Sequence, residues 1–380
     1  MRRAPIAAIS VLLALAAGCG GARRAAIGTG PVKAAILPAA KPQARVYFEE
    51  GVHQMEIAGG ADKAIAAFSR AIKEDKNLFE AWHNRGVVEA RLGRWESAAD
   101  SLDRALELQP GSRATVFALA NVLLRARRAG EAVVLLERQL GGDAGAEAGE
   151  GASGDARAAN EELRLFYVQA LREAGKTSRA LEEVEKVLAR SGRSGRAFNA
   201  LGLIYYRMDK PALAETALRR AAELEPKSAE IWNNLGLVAL ARGHDHEAFT
   251  SFDKAASLDD GFIEARLNKA AVLLDCGDYA HALPELEAAA KARPDDPDVL
   301  VALGVAKRGL GKPDEARRAY EGALAVAPEY PAAHFNLGIL YMDFLSDKKK
   351  AREHFQLYRK VAPSADNRQK EAESRLKELR

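Results

Sequence analysis

The side chains in this sequence whose types could do chemistry are few: two cysteines, seven histidines, and one stretch where imidazoles and carboxylates crowd together. That stretch, Gly243-His244-Asp245-His246-Glu247, carries the ligand types of a divalent metal site. It also has the polarity of a turn between two helices, where such residues need no ion, and it reads as a solvated turn. The other histidines, His53, His83, His281, His334 and His354, show no HExxH spacing and stand beside no nucleophile motif. Two cysteines cannot build a disulfide framework, and Cys276 reads as a small packed or half-exposed residue. No Gly-rich loop follows a strand, because no strand is predicted, so nucleotide binding finds no support. The expectation is no catalytic residue, no metal and no cofactor, in a protein that is not an enzyme.

Cys19 differs because of where it stands. Arg2 and Arg3 make a positive start, Ala4 to Ala17 an apolar run ending in small residues, and residues 1–18 read as an export signal. The run is shorter than the roughly 20 residues that cross a bilayer as a helix, which disfavours a retained span. Leu15-Ala16-Ala17-Gly18-Cys19 resembles the lipobox of bacterial lipoproteins, with Ala16 where that family often has leucine. The resemblance implies that Cys19 is acylated, becomes the new N-terminus and anchors the protein. With Gly20 rather than an aspartate after it, the resemblance further implies the outer membrane of a bacterial envelope, facing the periplasm. An ordinary secreted protein with a cysteine near its cleavage site is the competing reading. Beyond Cys19, the Gly, Ala and Pro mixture carries no helical period, so residues 19–44 read as a lipidated cysteine on a flexible tether.

The elements behind these residues are helices. A composition of 48% hydrophobic and 29% charged residues suits a folded soluble chain, while a net charge of +3 without a long basic block argues against a nucleic-acid partner. Alanine recurs at Ala64, Ala98, Ala132, Ala180, Ala214, Ala248, Ala282, Ala316 and Ala351, with every step 34 or 35 residues except one of 48. Around these alanines stand Phe198, Leu201, Gly202, Tyr205, Leu218 and Pro226 in one unit, and Trp232, Leu235, Gly236 and Phe252 in the next. Gly86, Gly304 and Gly338 hold the same place in other units. This pattern resembles the tetratricopeptide repeat, whose unit is a pair of antiparallel helices. The resemblance implies an all-α, right-handed superhelical solenoid of about nine helix pairs, broken once by a flexible insertion. Repeats are expected to begin at residues 45, 79, 113, 161, 195, 229, 263, 297 and 331. At Gly86, Gly202, Gly236, Gly304 and Gly338 the small residue lets the first helix approach its partner, whose alanine fills the contact, whereas repeat four has Val168 and repeat seven Ala270 there; prolines such as Pro110, Pro226, Pro294, Pro328 and Pro363 end the second helix.

The surplus in the 48-residue step falls in a Gly, Ala and acid-rich segment, so residues 141–160 are expected to be a disordered linker. It would divide a three-repeat arm, 45–140, from a six-repeat array, 161–365, closed by a polar helical cap at 366–380. Carried residue by residue, the family resemblance implies a partner-binding groove along the first helices. Its members here are Asn199, Leu203, Tyr206, Arg207, Asn233, Leu237, Leu240, Leu267, Val301, Val305, Arg308, Phe335, Ile339 and Met342. The N-terminal arm, with His83, Arg91, Phe117, Asn121 and Arg125, looks more basic. Such a groove suits extended or helical peptides from other envelope proteins. The function implied is a lipid-anchored scaffold for a multiprotein machine in motility, pilus assembly or export. An accessory that recruits cell-wall or polysaccharide enzymes, or binds glycan, is the alternative.

Overall fold

Each 34-residue period holds one apolar stripe per helix and one break between them, and the chain folds accordingly. The computed structural model describes residues 40–142, 154–366 and 368–379, which form nineteen α-helices and no strand among those residues. Eighteen of them make nine successive pairs: α1 (Pro42–Glu56) with α2 (Ala61–Glu74), α3 (Phe79–Arg91) with α4 (Trp95–Leu108), and α5 (Arg113–Arg125) with α6 (Ala129–Gly142). Then follow α7 (Gly154–Glu173) with α8 (Thr177–Arg190), α9 (Gly195–Arg207) with α10 (Pro211–Leu224), and α11 (Ala229–Ala241) with α12 (Asp245–Leu258). The last are α13 (Ile263–Asp275) with α14 (Tyr279–Ala292), α15 (Pro297–Gly309) with α16 (Pro313–Val326), and α17 (Pro331–Asp343) with α18 (Lys348–Val361). A shorter helix, α19 (Gln369–Glu378), ends the chain. Seven of the nine first helices begin at the residue where the repeat was expected to begin.

The turn inside each pair is a local backbone device. In the α3–α4 turn the Arg94 amide donates to the Glu89 carbonyl at 3.0 Å and the Gly93 amide to the Ala90 carbonyl at 3.1 Å. That double closure needs one residue in the left-handed region, and Gly93 supplies it at φ +72°. Between pairs, each of Pro110, Pro226, Pro294, Pro328 and Pro363 lies two residues beyond the end of a second helix, where the chain has already left helical geometry.

Side-chain volumes fix how closely the two helices of a pair approach. A Cβ placed on Gly51, Gly86, Gly202, Gly236, Gly304 or Gly338 would lie only 2.4 to 2.7 Å from an atom of Phe68, Leu102, Leu218, Phe252, Tyr320 or Phe355 respectively. The residue admitted by each glycine is therefore the one four places after the repeated alanine. This corrects the expectation that the alanine itself fills the contact: Ala98 and Ala214 approach through their carbonyl oxygens, at 3.1 and 3.2 Å from that Cβ position. The alanines Ala98, Ala214, Ala248, Ala316 and Ala351 are all fully buried. Where a repeat lacks the glycine its counterpart is aliphatic: Ala120 with Leu136, Val168 with Val184, Ala270 with Leu286, all buried. A small residue meets a large one at most pairs, and Val168 with Val184 fills the same space with two medium side chains, as close packing requires.

The insertion does not divide the array where its composition suggested. One core runs through Leu102, Phe117, Leu136, Leu163, Tyr167 and Ile204, joining α4 to α9 without interruption. Helix α7 already begins at Gly154, inside the segment expected to be disordered; residues 143–153 lie outside those described. The described residues instead group into two compact units, 40–224 and 225–379. In the second unit Ala372 of α19 and Leu379 just beyond it cover the end of the core, while Arg375 reaches Asp343 of α17 at 3.3 Å. The export signal 1–18, Cys19 and the tether as far as residue 39 lie outside the described residues.

Candidate functional site

First helices of successive repeats touch one another as well as their own partners, as α5 does α7, α7 does α9, α13 does α15 and α15 does α17. That contact decides which groove positions remain available. In the first unit Asn199 is buried, Leu203 and Tyr206 are half-buried, and Arg207 is exposed with its guanidinium 3.9 Å from Glu173.

In the second unit the same positions divide. Asn233 is buried and its Oδ1 accepts a hydrogen bond from Asn268 Nδ2 at 2.9 Å, so this amide ties two first helices together. Leu237, Val301, Val305 and Phe335 are buried too. Phe335 packs on Phe355 and Tyr358 at ring separations of 5.9 and 5.1 Å, and the Arg368 guanidinium lies 5.4 Å over its ring. These four side chains therefore belong to the core. The surface that remains is Leu240, Leu267, Ile339 and Met342, all half-buried, together with Arg308. Arg308 Nη1 is enclosed with no hydrogen-bond partner, and so is the hydroxyl of Tyr320. Burial, opposed by the Arg308 charge, pushes the Tyr320 phenol up to about 12, so the hydroxyl stays neutral.

Charged residues brace the second helices behind this face. Arg266 Nη1 and Lys269 Nζ donate to the two oxygens of Glu285 at 2.6 and 2.7 Å, and Lys269 also meets Asp253 at 2.8 Å. Burial alone would raise the Glu285 carboxyl, but these donors outweigh it and hold it below the usual range. Glu89 shows the opposite balance: burial raises its carboxyl despite the Ser101 hydroxyl donating at 2.6 Å and the Arg85 charge nearby.

The histidines fall into structural places. His83 is fully buried with Nδ1 3.0 Å from the Thr115 hydroxyl. His334 and His354 face each other with Nδ1 atoms 3.1 Å apart, and Tyr341 stacks on His354 at 5.6 Å. Spacing could not find this pair, since the two lie in different helices of one repeat. Burial, then His334 and Lys350, lower the His354 imidazole to about 4. The Gly243–Glu247 stretch turns from α11 into α12, with Gly243 left-handed and His244 at the helix N-cap. Among the described residues no three His, Cys, Asp or Glu side chains converge as metal ligands. Cys276 is a free, exposed thiol at the end of α13. No helix among the described residues is long and apolar enough to cross a membrane.

The family model of the tetratricopeptide repeat matches residues 58–113, 199–261, 267–307 and 301–366. A peroxisomal targeting signal receptor of Candida albicans is 23% identical over 245 residues, covering 64% of this chain and 40% of its own. The human protein O-mannosyl-transferase TMTC3 is 26% identical over 294 residues, 74% of this chain and 31% of its own. The chain thus spans less than half the length of either relative. Among solved structures, PilF of Pseudomonas aeruginosa covers 58% of this chain and 99% of its own at 18% identity with a TM-score of 0.50, a likeness of fold. Arrays of such helix pairs present extended surfaces to other proteins. With its repeated Gly, Ala and Pro positions built into paired helices and the family model matching more than half its length, the chain belongs to the tetratricopeptide-repeat family.

Proposed function

We propose that this protein is a non-catalytic interaction scaffold of the bacterial envelope, whose first-helix faces hold extended or helical peptides of partner proteins. The observation that carries this reading is the surface left on the second unit: Leu240, Leu267, Ile339 and Met342 half-exposed along the first helices, with Arg308 among them. Arg308 Nη1 is enclosed and has no acceptor. The residue as a whole is half-buried, and a guanidinium at such a rim can donate to a peptide carbonyl or carboxylate. Apolar anchors with a single fixed cation suit an amphipathic segment.

The anchor in this proposal is Cys19. Two or more acyl chains make attachment stable where one does not, because each buried methylene contributes about 0.8 kcal/mol. The lipobox-like run before Cys19 and the Gly20 after it support the outer membrane, with the repeats in the periplasm. From the same lipoprotein resemblance, the machine served is one of motility, pilus assembly or export. The test is fractionation and mild crosslinking of the wild type and of Cys19→Ser, with copurified proteins identified by mass spectrometry. A defined set of envelope proteins with the wild type, and release of Cys19→Ser from membranes, is the expected result. Retention of Cys19→Ser in the membrane overturns the lipid anchor; recovery of cell-wall enzymes alone overturns the assembly role.

A further inference from the structure

The turn joining α5 to α6 is one of three that place a non-glycine in the left-handed region, and it carries the largest of those side chains. Its left-handed residue is Arg127, at φ +61°, where Gly59, Gly93, Gly175, Gly243, Gly277 and Gly311 serve in other turns and Asp209 and Ser346 in the remainder. A side chain with a Cβ is penalised there, and Asp tolerates it better than Arg does. Strain of this kind persists only where the surroundings hold it, and it clusters at binding and switching sites.

Arg127 lines a cleft of about 420 Å³ together with Arg94, Arg125, Trp95 and Glu96. Arg94 is joined to Asp62 at 2.7 Å in an exposed pair, which holds it weakly. Glu96, the acid lining the cleft, is bound by Arg128 Nη1 at 2.9 Å, so its charge is already met. Neither the Arg125 nor the Arg127 side chain has a hydrogen-bond or ion-pair partner among the described residues, and both residues are exposed. Two uncompensated guanidinium groups thus stand at a cleft walled by an indole. Guanidinium binds carboxylate through paired N–H donors, and the cleft is roomier than a lone oxyanion needs.

We infer that this cleft, at the turns of repeats two and three, docks an acidic peptide segment of a partner protein. Carboxylates of the segment meet Arg125 and Arg127, and an apolar side chain beside them lies on Trp95. The site goes beyond the first-helix face of the second unit, and either can fail without the other.

The test titrates the full chain by calorimetry with a short alternating Glu-Leu peptide, its Lys-Leu counterpart, and inorganic pyrophosphate, at low and high salt. The wild type binds the Glu-Leu peptide, more weakly at high salt, and does not bind the Lys-Leu peptide. Arg125→Gln and Arg127→Gly each weaken binding about tenfold or more, as loss of a charge-assisted pair requires. Arg127→Gly also separates binding from folding, because glycine relieves the backbone: it melts no lower than the wild type while losing the peptide. Undiminished binding by both variants, no binding by the wild type, or a preference for pyrophosphate over the peptide would overturn the inference.

Discussion

Gly304→Ala adds a single methyl to the tightest glycine contact between the two helices of one pair. The new Cβ would lie 2.4 Å from Cε1, 2.6 Å from Cδ1 and 2.9 Å from Cζ of Tyr320, about 1 Å short of the ordinary 3.4–4 Å contact. The Tyr320 ring cannot swing out, because it is fully buried among α15 to α17. Overpacking of this kind costs about 1–3 kcal/mol. Replacing a helical glycine by alanine returns about 0.5–1 kcal/mol of backbone entropy. The net expectation is a loss of about 1–2 kcal/mol, or a melting temperature lowered by about 3–6 °C for a unit of this size. Thermal unfolding followed by circular dichroism measures it. The chain already contains the remedy, since Ala270 stands opposite Leu286 in the neighbouring repeat. Gly304→Ala combined with Tyr320→Leu should therefore be less destabilised than the sum of the two single changes. A Gly304→Ala protein as stable as the wild type or more so would refute the packing argument.

Other consequences follow from burial. Phe335→Glu, which places a carboxylate among Phe355 and Tyr358, should cost about 3 kcal/mol or more and reduce helicity, whereas Met342→Glu on the half-exposed face should shift stability by no more than about 1 kcal/mol in the same unfolding assay. Tyr320→Phe removes a buried hydroxyl that has no partner and should be neutral or stabilising by up to about 1 kcal/mol; a larger loss would reveal a bond to that oxygen. Because burial, His334 and Lys350 depress His354 from 6.5 to about 4, the unfolded chain takes up a proton that the folded one resists. Stability from this group is complete above about pH 6.5 and falls as the pH drops towards 4, by about 1–2 kcal/mol at pH 5 after allowing for partial solvent access. Melting curves between pH 7 and 5 should show that slope, and His354→Phe should flatten it.

How much of this is legible in the sequence depends on how local the cause is. The helix pairs were legible because a glycine that turns the chain, an alanine at a fixed interval and a proline beyond a helix end act within one repeat. Seven first helices begin at Phe79, Arg113, Gly195, Ala229, Ile263, Pro297 and Pro331, where the period places them. The division of the groove was not legible. Val301, Val305 and Phe335 occupy groove positions, but neighbouring first helices and Arg368 cover them, and coverage by another repeat leaves no mark on a residue's own period. The insertion misled for a similar reason: its composition reports on residues 141–160, while continuity depends on Leu136, Leu163 and Tyr167 on either side of it. Arg127 was visible as a residue, but only its φ shows that it takes a glycine's place.

In the proposed scaffold the half-exposed first-helix face of the second unit holds the partner. The measurement that decides it is copurification of partner proteins with the full-length wild type and with Leu240→Glu combined with Met342→Glu, after circular dichroism has shown equal helicity. Loss of the specific partner set in the folded double variant is the predicted result. Full recovery of that set would contradict the account and move the binding surface elsewhere on the array.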